Sequence, residues 1–316
     1  MRFRDGGNLR NMFKRTILLL GLSSLASCLP DPPSSSSNGP LNRSIHTGTG
    51  SFIFTPSGSF HNRPLTVYYH IPDSAHESSP IAIIIHGNAR DGEYLRDALK
   101  AESNRRNTVV IVPNFGSSEY PNNYFLLGNI FDDGENPSVS SRNDSTQWTY
   151  QVIEQLFNQF QNEISSKDAR YDLIGFSAGG QFAHRFAFFS HYPQCDRIVA
   201  ASSGWYTLPT SDINFPYGLG ITERSNPEDI RKALSFPLHI AVGSADTDPN
   251  SSGLRHTTEA DIQGINRVQR ANFAYQLALD QSIALGTTCN WSIHIETGVS
   301  HSAQAMGIYA LSYLYP

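Results

Sequence analysis

Apolar positions in this 316-residue chain fall into two alternating rhythms from about residue 48 onward. Short runs at 51–55, 65–70, 81–86, 108–113, 171–176, 197–202, 238–243 and 292–296 have strand length and composition. Several, such as IAIIIH at 81–86, are apolar without a break, as expected of strands covered on both faces. Between them, segments 91–102, 147–165, 178–190, 262–285 and 302–314 carry apolar residues at helical spacing. The alternation predicts an α/β fold: a mostly parallel, eight-stranded, doubly wound sheet with helices on both faces and two antiparallel strands at its start. Residues 51–316 suit one domain of this kind, and no internal repeat divides them.

Two stretches interrupt the alternation. Residues 114–146 are rich in Asn, Gly, Ser and Tyr, and 204–237 include Trp205, Tyr206, Phe215 and Tyr217. Loops at the carboxyl ends of parallel strands surround the crevice of such sheets, which makes Tyr120, Tyr124, Trp205 and Tyr206 candidates for substrate contact. The competing expectation is that these aromatics simply pack.

The segment YDLIGFSAGG at 171–180 carries the sharpest chemical signal. A strand ends at Phe176 and a helix begins at Ala178, so Ser177 stands on a tight turn. Gly175 and Gly179 flank it where a β-carbon would collide with neighbouring backbone. Such a turn lifts the serine Oγ above the sheet and presents the Ala178 N–H to a carbonyl oxygen that is gaining negative charge. A second N–H, that of Asn88, is expected beside it, because 81–86 is a buried strand that runs into the turn His86-Gly87-Asn88. His86 itself is expected to fix that turn by hydrogen bonding rather than to act in catalysis.

A serine hydroxyl needs a base, and the base needs an acid to hold its tautomer. The strand at 238–243 leads into Ser244-Ala245-Asp246-Thr247-Asp248. Asp246 comes first and is preferred; Asp248, followed by Pro249, suits a turn. The last strand leads into Thr297-Gly298-Val299-Ser300-His301, which puts His301 on a loop, whereas His239 and His294 lie within strands and His184 within a helix. The chain order is therefore Ser177, Asp246, His301.

Together the segments HGNARDGEYLRDAL, NYFLLGN, GFSAGGQFAHRF, GWYTLP, GSADTD and GVSHS resemble the α/β-hydrolase superfamily. Within it they are similar to bacterial esterases related to polyhydroxybutyrate depolymerases and feruloyl or acetylxylan esterases. The resemblance implies the α/β-hydrolase fold and a serine carboxylesterase that cleaves acyl esters through an acyl-enzyme intermediate, without a cofactor. It says less about the substrate, and the chain has no obvious substrate-binding module of the kind found in the better-known depolymerases. A serine peptidase or amidase on the same fold is the alternative, and an envelope binding lipoprotein without activity is a further one.

The N-terminus concerns location. Arg10, Lys14 and Arg15 precede a nine-residue apolar run at 17–25, too short to span a bilayer and arranged like a secretory signal. Met12 would start a more compact version of it. The sequence Leu25-Ala26-Ser27-Cys28 resembles a bacterial lipobox, which implies lipidation at Cys28 and, with Leu29 following, delivery to the outer membrane of the cell envelope. Residues 1–27 are thus expected to be a lipoprotein signal, 28–50 a Pro/Ser-rich tether and 51–316 the catalytic domain. Residues 1–27 carry five of the basic side chains and one aspartate, a net +4, so their removal takes the chain from −5 to −9. So acidic a domain is a poor partner for nucleic acid.

With Cys28 lipidated, Cys195 and Cys289 remain, and an oxidising envelope would allow them to pair or to stay as separate buried thiols. The histidines are scattered, with no HExxH or paired CxxC spacing, so no metal site is expected. Composition leaves the oligomeric state open.

Overall fold

The computed structural model describes residues 45–190 and 194–316. Eight strands form one sheet in the order β1-β2-β4-β3-β5-β6-β7-β8. They are β1 (Gly48–Phe54), β2 (Leu65–Ile71), β3 (Ile81–Ile85), β4 (Val109–Asn114), β5 (Tyr171–Phe176), β6 (Cys195–Ala201), β7 (Leu238–Gly243) and β8 (Trp291–Glu296). β2 pairs antiparallel with both β1 and β4, and every other pairing is parallel. The first strand begins at Gly48, inside the stretch expected to be tether. Its pairing to β2 runs through backbone groups of Gly48, Thr49 and Gly50, which have no apolar signature to announce it.

The unbroken apolar runs have the predicted cause. Ile81, Ile83 and Ile85 of β3 face a large core with Leu173 of β5, while Ala82 and Ile84 face a second core on the other side. Successive strand residues point to opposite faces, so a strand with helices on both sides must be apolar throughout. The second core is closed by α1 (Gly92–Arg106), through Leu95 and Leu99, and by α8 (Ala303–Leu314), through Met306, Ala310 and Leu311. These helices approach so closely that a β-carbon on Gly307 would lie 2.8 Å from Leu99. The first core is covered by α3 (Tyr150–Glu163), supplying Val152, Leu156, Phe157 and Phe160, and by α4 (Ala178–Phe189), supplying Phe182 and Phe186.

The expected helix at 262–285 is two helices. α6 (Thr258–Gln263) stops at Gly264, whose φ of 138° suits glycine, and α7 (Arg267–Leu285) starts afresh under an Asn266 side chain that accepts from Gln269 N–H. Residues 114–146 include one short helix, α2 (Asn122–Phe125), and 204–237 include α5 (Pro227–Ser235), begun by an Asn226 cap and a proline in its first turn.

Chain direction reverses at the middle of the sheet. β4 lies on one side of β3 and β5 on the other, so the loops leaving the carboxyl ends of β3 and β5 diverge and open a crevice between them.

Candidate active site

The turn at Ser177 sits beside that crevice. Its φ of 55° and ψ of −112° lie where a non-glycine residue is strained. The turn is held by Ser177 N–H donating to Ala201 O at 2.8 Å and by Gln181 N–H donating to Ser177 O at 3.0 Å. A β-carbon on Gly175 would stand 2.0 Å from Gly179 O, and one on Gly179 would stand 2.2 Å from Ile85 O. The two glycines are what let β5, α4 and the end of β3 meet.

The imidazole of His301 receives the serine hydroxyl at Nε2, 3.0 Å away, and its Nδ1–H donates to Asp246 Oδ2 at 2.7 Å. With the carboxylate ionised, Nδ1 must carry the proton of the neutral ring, which leaves Nε2 free to accept. Burial pushes the Asp246 carboxyl up, but the hydrogen bond and charge of His301 and the charge and hydrogen bond of Arg267 outweigh it and hold it below its ordinary value. Phe176 lies against the other face of the arrangement, its ring 4.7 Å from the imidazole.

The loops that carry these side chains brace one another. Ala245 N–H donates to Val299 O at 2.9 Å and Gly298 N–H to Ser244 Oγ at 2.8 Å, so the acid loop after β7 and the histidine loop after β8 form one block. A β-carbon on Gly243 would lie 2.2 Å from Val299 O, so only glycine fits there. Ser302 then caps α8 by accepting from Ala305 N–H. Asp248 takes no part: it is exposed, and its side chain accepts from Asn250 N–H at 2.8 Å in a turn.

Opposite the serine runs the loop after β3. A β-carbon on Gly87 would be 3.6 Å from Ser177 Cβ, which measures how closely that loop lies over the turn. His86 staples it: Nδ1–H donates to Gly87 O at 2.9 Å, and Nε2 accepts from Phe115 N–H at 2.9 Å. Burial, reinforced by the nearby Arg90 charge, lowers its pKa to about 4, so it is a neutral structural link between the ends of β3 and β4. Asn88 lines the cavity, and Ala178, the first residue of α4, has an N–H with no acceptor inside its own helix.

The cavity has a volume of about 340 Å³. Its walls come from the loop after β3, the first turn of α1 with Tyr94 and Leu95, Ser252 and Gly253 after β7, Arg267, and Ala303 at the start of α8. None of the four aromatics expected to contact substrate is among them. Tyr120 is fully buried, its hydroxyl donating to Arg63 O at 2.8 Å, and Tyr124 lies under the Arg63 guanidinium at 4.0 Å. Trp205 is stacked by Arg185 at 4.2 Å and Arg255 at 4.8 Å, and Tyr206 is buried 5.1 Å from the His184 ring. The inserted segments spend their aromatic residues on an extension of the core. Tyr94 and Leu95, which do line the cavity, read in the sequence as ordinary helix; their place shortly after the His86-Gly87-Asn88 turn is the signal that points to them.

Cys195 and Cys289 are free thiols. Cys195 opens β6 and Cys289 lies two residues before β8, with β7 between the two strands. Among the described residues, no group of three or more His, Cys, Asp or Glu side chains is placed to hold a metal ion. Cys28 lies outside the described residues, as do the signal and most of the tether.

This sheet, with a serine on a strained strand-to-helix turn and its histidine and aspartate on the loops after the last two strands, defines an α/β-hydrolase. Comparison with solved structures agrees. The chain is 32% identical to poly(aspartic acid) hydrolase-1 from Sphingomonas sp. KT-1, covering 86% of this chain and 100% of that one with a TM-score of 0.78. It is 25% identical to a poly(3-hydroxybutyrate) depolymerase from Bordetella parapertussis, over 85% and 91% of the two chains, again with a TM-score of 0.78. An S-formylglutathione hydrolase from Agrobacterium tumefaciens shares the fold at 16% identity, over 87% and 97%, with a TM-score of 0.54. No protein-family model matches the sequence, and no curated protein sequence does. The chain belongs to the α/β-hydrolase family, and the solved structures it resembles are hydrolases.

Proposed function

We propose that the protein is a serine carboxylesterase acting through an acyl-enzyme intermediate. The observation that carries this reading is the continuous chain from Ser177 Oγ through His301 to Asp246, at 3.0 and 2.7 Å, at the edge of a cavity of about 340 Å³. His301 Nε2 takes the hydroxyl proton as Ser177 Oγ attacks the ester carbonyl. The N–H groups of Ala178 and Asn88 stabilise the resulting oxyanion, each worth about 3 to 4 kcal/mol in comparable enzymes. The imidazolium, stabilised by Asp246, passes its proton to the leaving alcohol. A water then loses a proton to His301 and attacks the acyl-enzyme, releasing the acid and restoring the serine.

A second reading keeps the same residues and changes the bond. The 32%-identical relative is described as a poly(aspartic acid) hydrolase, and poly(aspartic acid) has an amide backbone. Hydrolysis of p-nitrophenyl esters of graded acyl length, beside release of amines from poly(aspartic acid), separates the two. Ser177→Ala should lower either activity by a factor on the order of 10⁵ or more. Ester turnover that survives this change would overturn the serine mechanism; cleavage of the polyamide alone would replace the esterase reading by the amidase one.

The same proposal assigns residues 1–27 as a lipoprotein signal, Cys28 as the lipidated residue and 28–47 as the tether that holds the domain at the envelope. Its supports are the basic-then-apolar layout and the Leu-Ala-Ser-Cys sequence at 25–28. Incorporation of labelled fatty acid that disappears in Cys28→Ser is the expected result; undiminished labelling of the variant would refute it.

A further inference from the structure

Arg267 is the first residue of α7 and is 2% exposed, as is the Asp246 side chain beside it. Its Nη1 donates to Asp246 Oδ1 at 3.1 Å and to Ser251 Oγ at 2.9 Å, while Asp246 Oδ2 is engaged by His301. One carboxylate oxygen is thus given to the base and the other to a guanidinium. A carboxylate held on one oxygen turns easily about its terminal torsion, which is broad and two-fold. Held on both oxygens by groups from different elements, it has one plane, and His301 inherits that orientation.

The guanidinium projects from an anchored helix start, and its Nε is buried without a hydrogen-bond partner among the described residues. The beginning of α7 is capped by Asn266 and tied down by Arg270, which donates to Gly264 O, Gly204 O and Arg255 O, each at 2.7 Å. Burying a charged pair is costly unless geometry and hydrogen bonding are good, and removing one member strands the other. The charged and titratable groups facing the pair are His301 before α8, Tyr206 after β6 and Arg270 on α7.

We infer that Arg267 is a positioning residue for the serine hydrolase chemistry proposed above, acting through Asp246 by holding its Oδ1 so that Oδ2 stays on His301 Nδ1. Nothing in the reaction requires it to touch substrate. Because its charge lies next to the acid, it also opposes protonation of Asp246, the state in which the carboxyl no longer holds His301. A neighbouring cation disfavours that proton, so loss of Arg267 moves the acidic limb of the rate profile to higher pH.

The inference rests on the serine hydrolase reading, and one set of variants separates the two. Using the most active ester from the graded series, kcat and KM are measured from pH 4.5 to 9 for the parent, Ser177→Ala, Asp246→Asn, Arg267→Met, Arg267→Lys and the Asp246→Asn/Arg267→Met double variant, with unfolding midpoints alongside. Arg267→Met is expected to lower kcat by about 10- to 100-fold with KM little changed, and to shift the acidic limb upward. Arg267→Lys should restore the limb but only part of kcat, since the shorter ammonium returns the charge without the same hold on both Asp246 Oδ1 and Ser251 Oγ. In the Asp246→Asn background the Arg267→Met change should cost less than threefold, because its effect is routed through the acid. Parental kcat and pH profile in Arg267→Met, or an equal loss in both backgrounds, would overturn the inference while an inactive Ser177→Ala left the hydrolase reading intact. If Arg267→Met does not fold, Arg267→Lys decides: a kcat equal to the parent's overturns it.

Discussion

Gly179 stands where three pieces of backbone meet, and no β-carbon fits. The added atom would lie 2.2 Å from Ile85 O and 2.6 Å from His86 O, so the end of β3 would have to move, taking the loop of Asn88 with it. Gly179→Ala is expected to cost about 3 kcal/mol of stability and to reduce kcat more than KM, because the displaced loop carries a proposed oxyanion donor. Gly253, also on the cavity wall, is the control: a β-carbon there meets nothing within 4 Å, and its φ of 76° costs an alanine only about 1 kcal/mol. Unfolding midpoints and kcat for the two variants check the contrast; equal behaviour would show that space is not what makes Gly179 necessary. Glycines of this kind were legible in the sequence because their spacing around Ser177 reports a local turn. Arg267 was not, because its partner lies 21 positions away and nothing local distinguishes an arginine aimed at a buried acid from one in water.

Between elements, the contact of α3 with β5 holds a carboxyl group at odds with its surroundings. Glu154 is buried, and its Oε1 accepts from Tyr171 Oη at 2.5 Å while Oε2 lacks a hydrogen-bond partner among the described residues. Burial raises its pKa to about 7 against the opposing effect of the Tyr171 hydrogen bond. The folded protein therefore holds a proton that the unfolded chain releases above about pH 4.5. Stability from this group is greatest below that value and is lost as pH rises through 7, by up to about 3 kcal/mol. Glu154→Gln, which stays neutral, should leave the unfolding midpoint nearly unchanged at pH 5 and raise it at pH 8. An equal shift at both values would mean that the carboxyl is not protonated in the folded state. Elements of strong apolar rhythm, β3, β5, β7 and α4, were legible within a residue or two. α5 was not, because its nine residues bury only Ile230, Ala233 and Leu234, and the single run read from 262 to 285 concealed a break that depends on Gly264 and Asn266.

Over the whole molecule, topology was legible because alternating strands and helices admit few arrangements, and the crevice follows from the reversal between β3 and β5. The cavity walls were not, because aromatic content does not reveal which side of an insertion faces solvent. The fold also depends on histidines that must stay neutral, and this has a measurable consequence. His86 and His184 are each bound the same way: Nδ1–H donates to a carbonyl, of Gly87 or Gly180, and Nε2 accepts a backbone N–H, of Phe115 or Thr207. A second proton on either ring would set donor against donor. Burial brings His86 to about 4 and, with the nearby Arg185 charge, holds His184 well below its ordinary value, and burial with the nearby His294 brings His239 to about 4. Unfolding lets all three take up protons below pH 6.5, so their contribution to stability is constant above that value and falls as the pH drops toward 4. Glu154 works in the opposite sense over the same interval, since the folded state already holds its proton. Three protons gained on unfolding against one lost give a net slope of about 2.7 kcal/mol per pH unit near pH 5.5. In Glu154→Gln the opposing proton is gone, so the slope should steepen to about 4 kcal/mol per pH unit. Denaturant unfolding of the domain between pH 7.5 and 4.5 measures both slopes. A flat profile in the parent would mean that the three rings can be protonated without unfolding, and unchanged steepness in the variant would mean that Glu154 is already ionised in the folded protein.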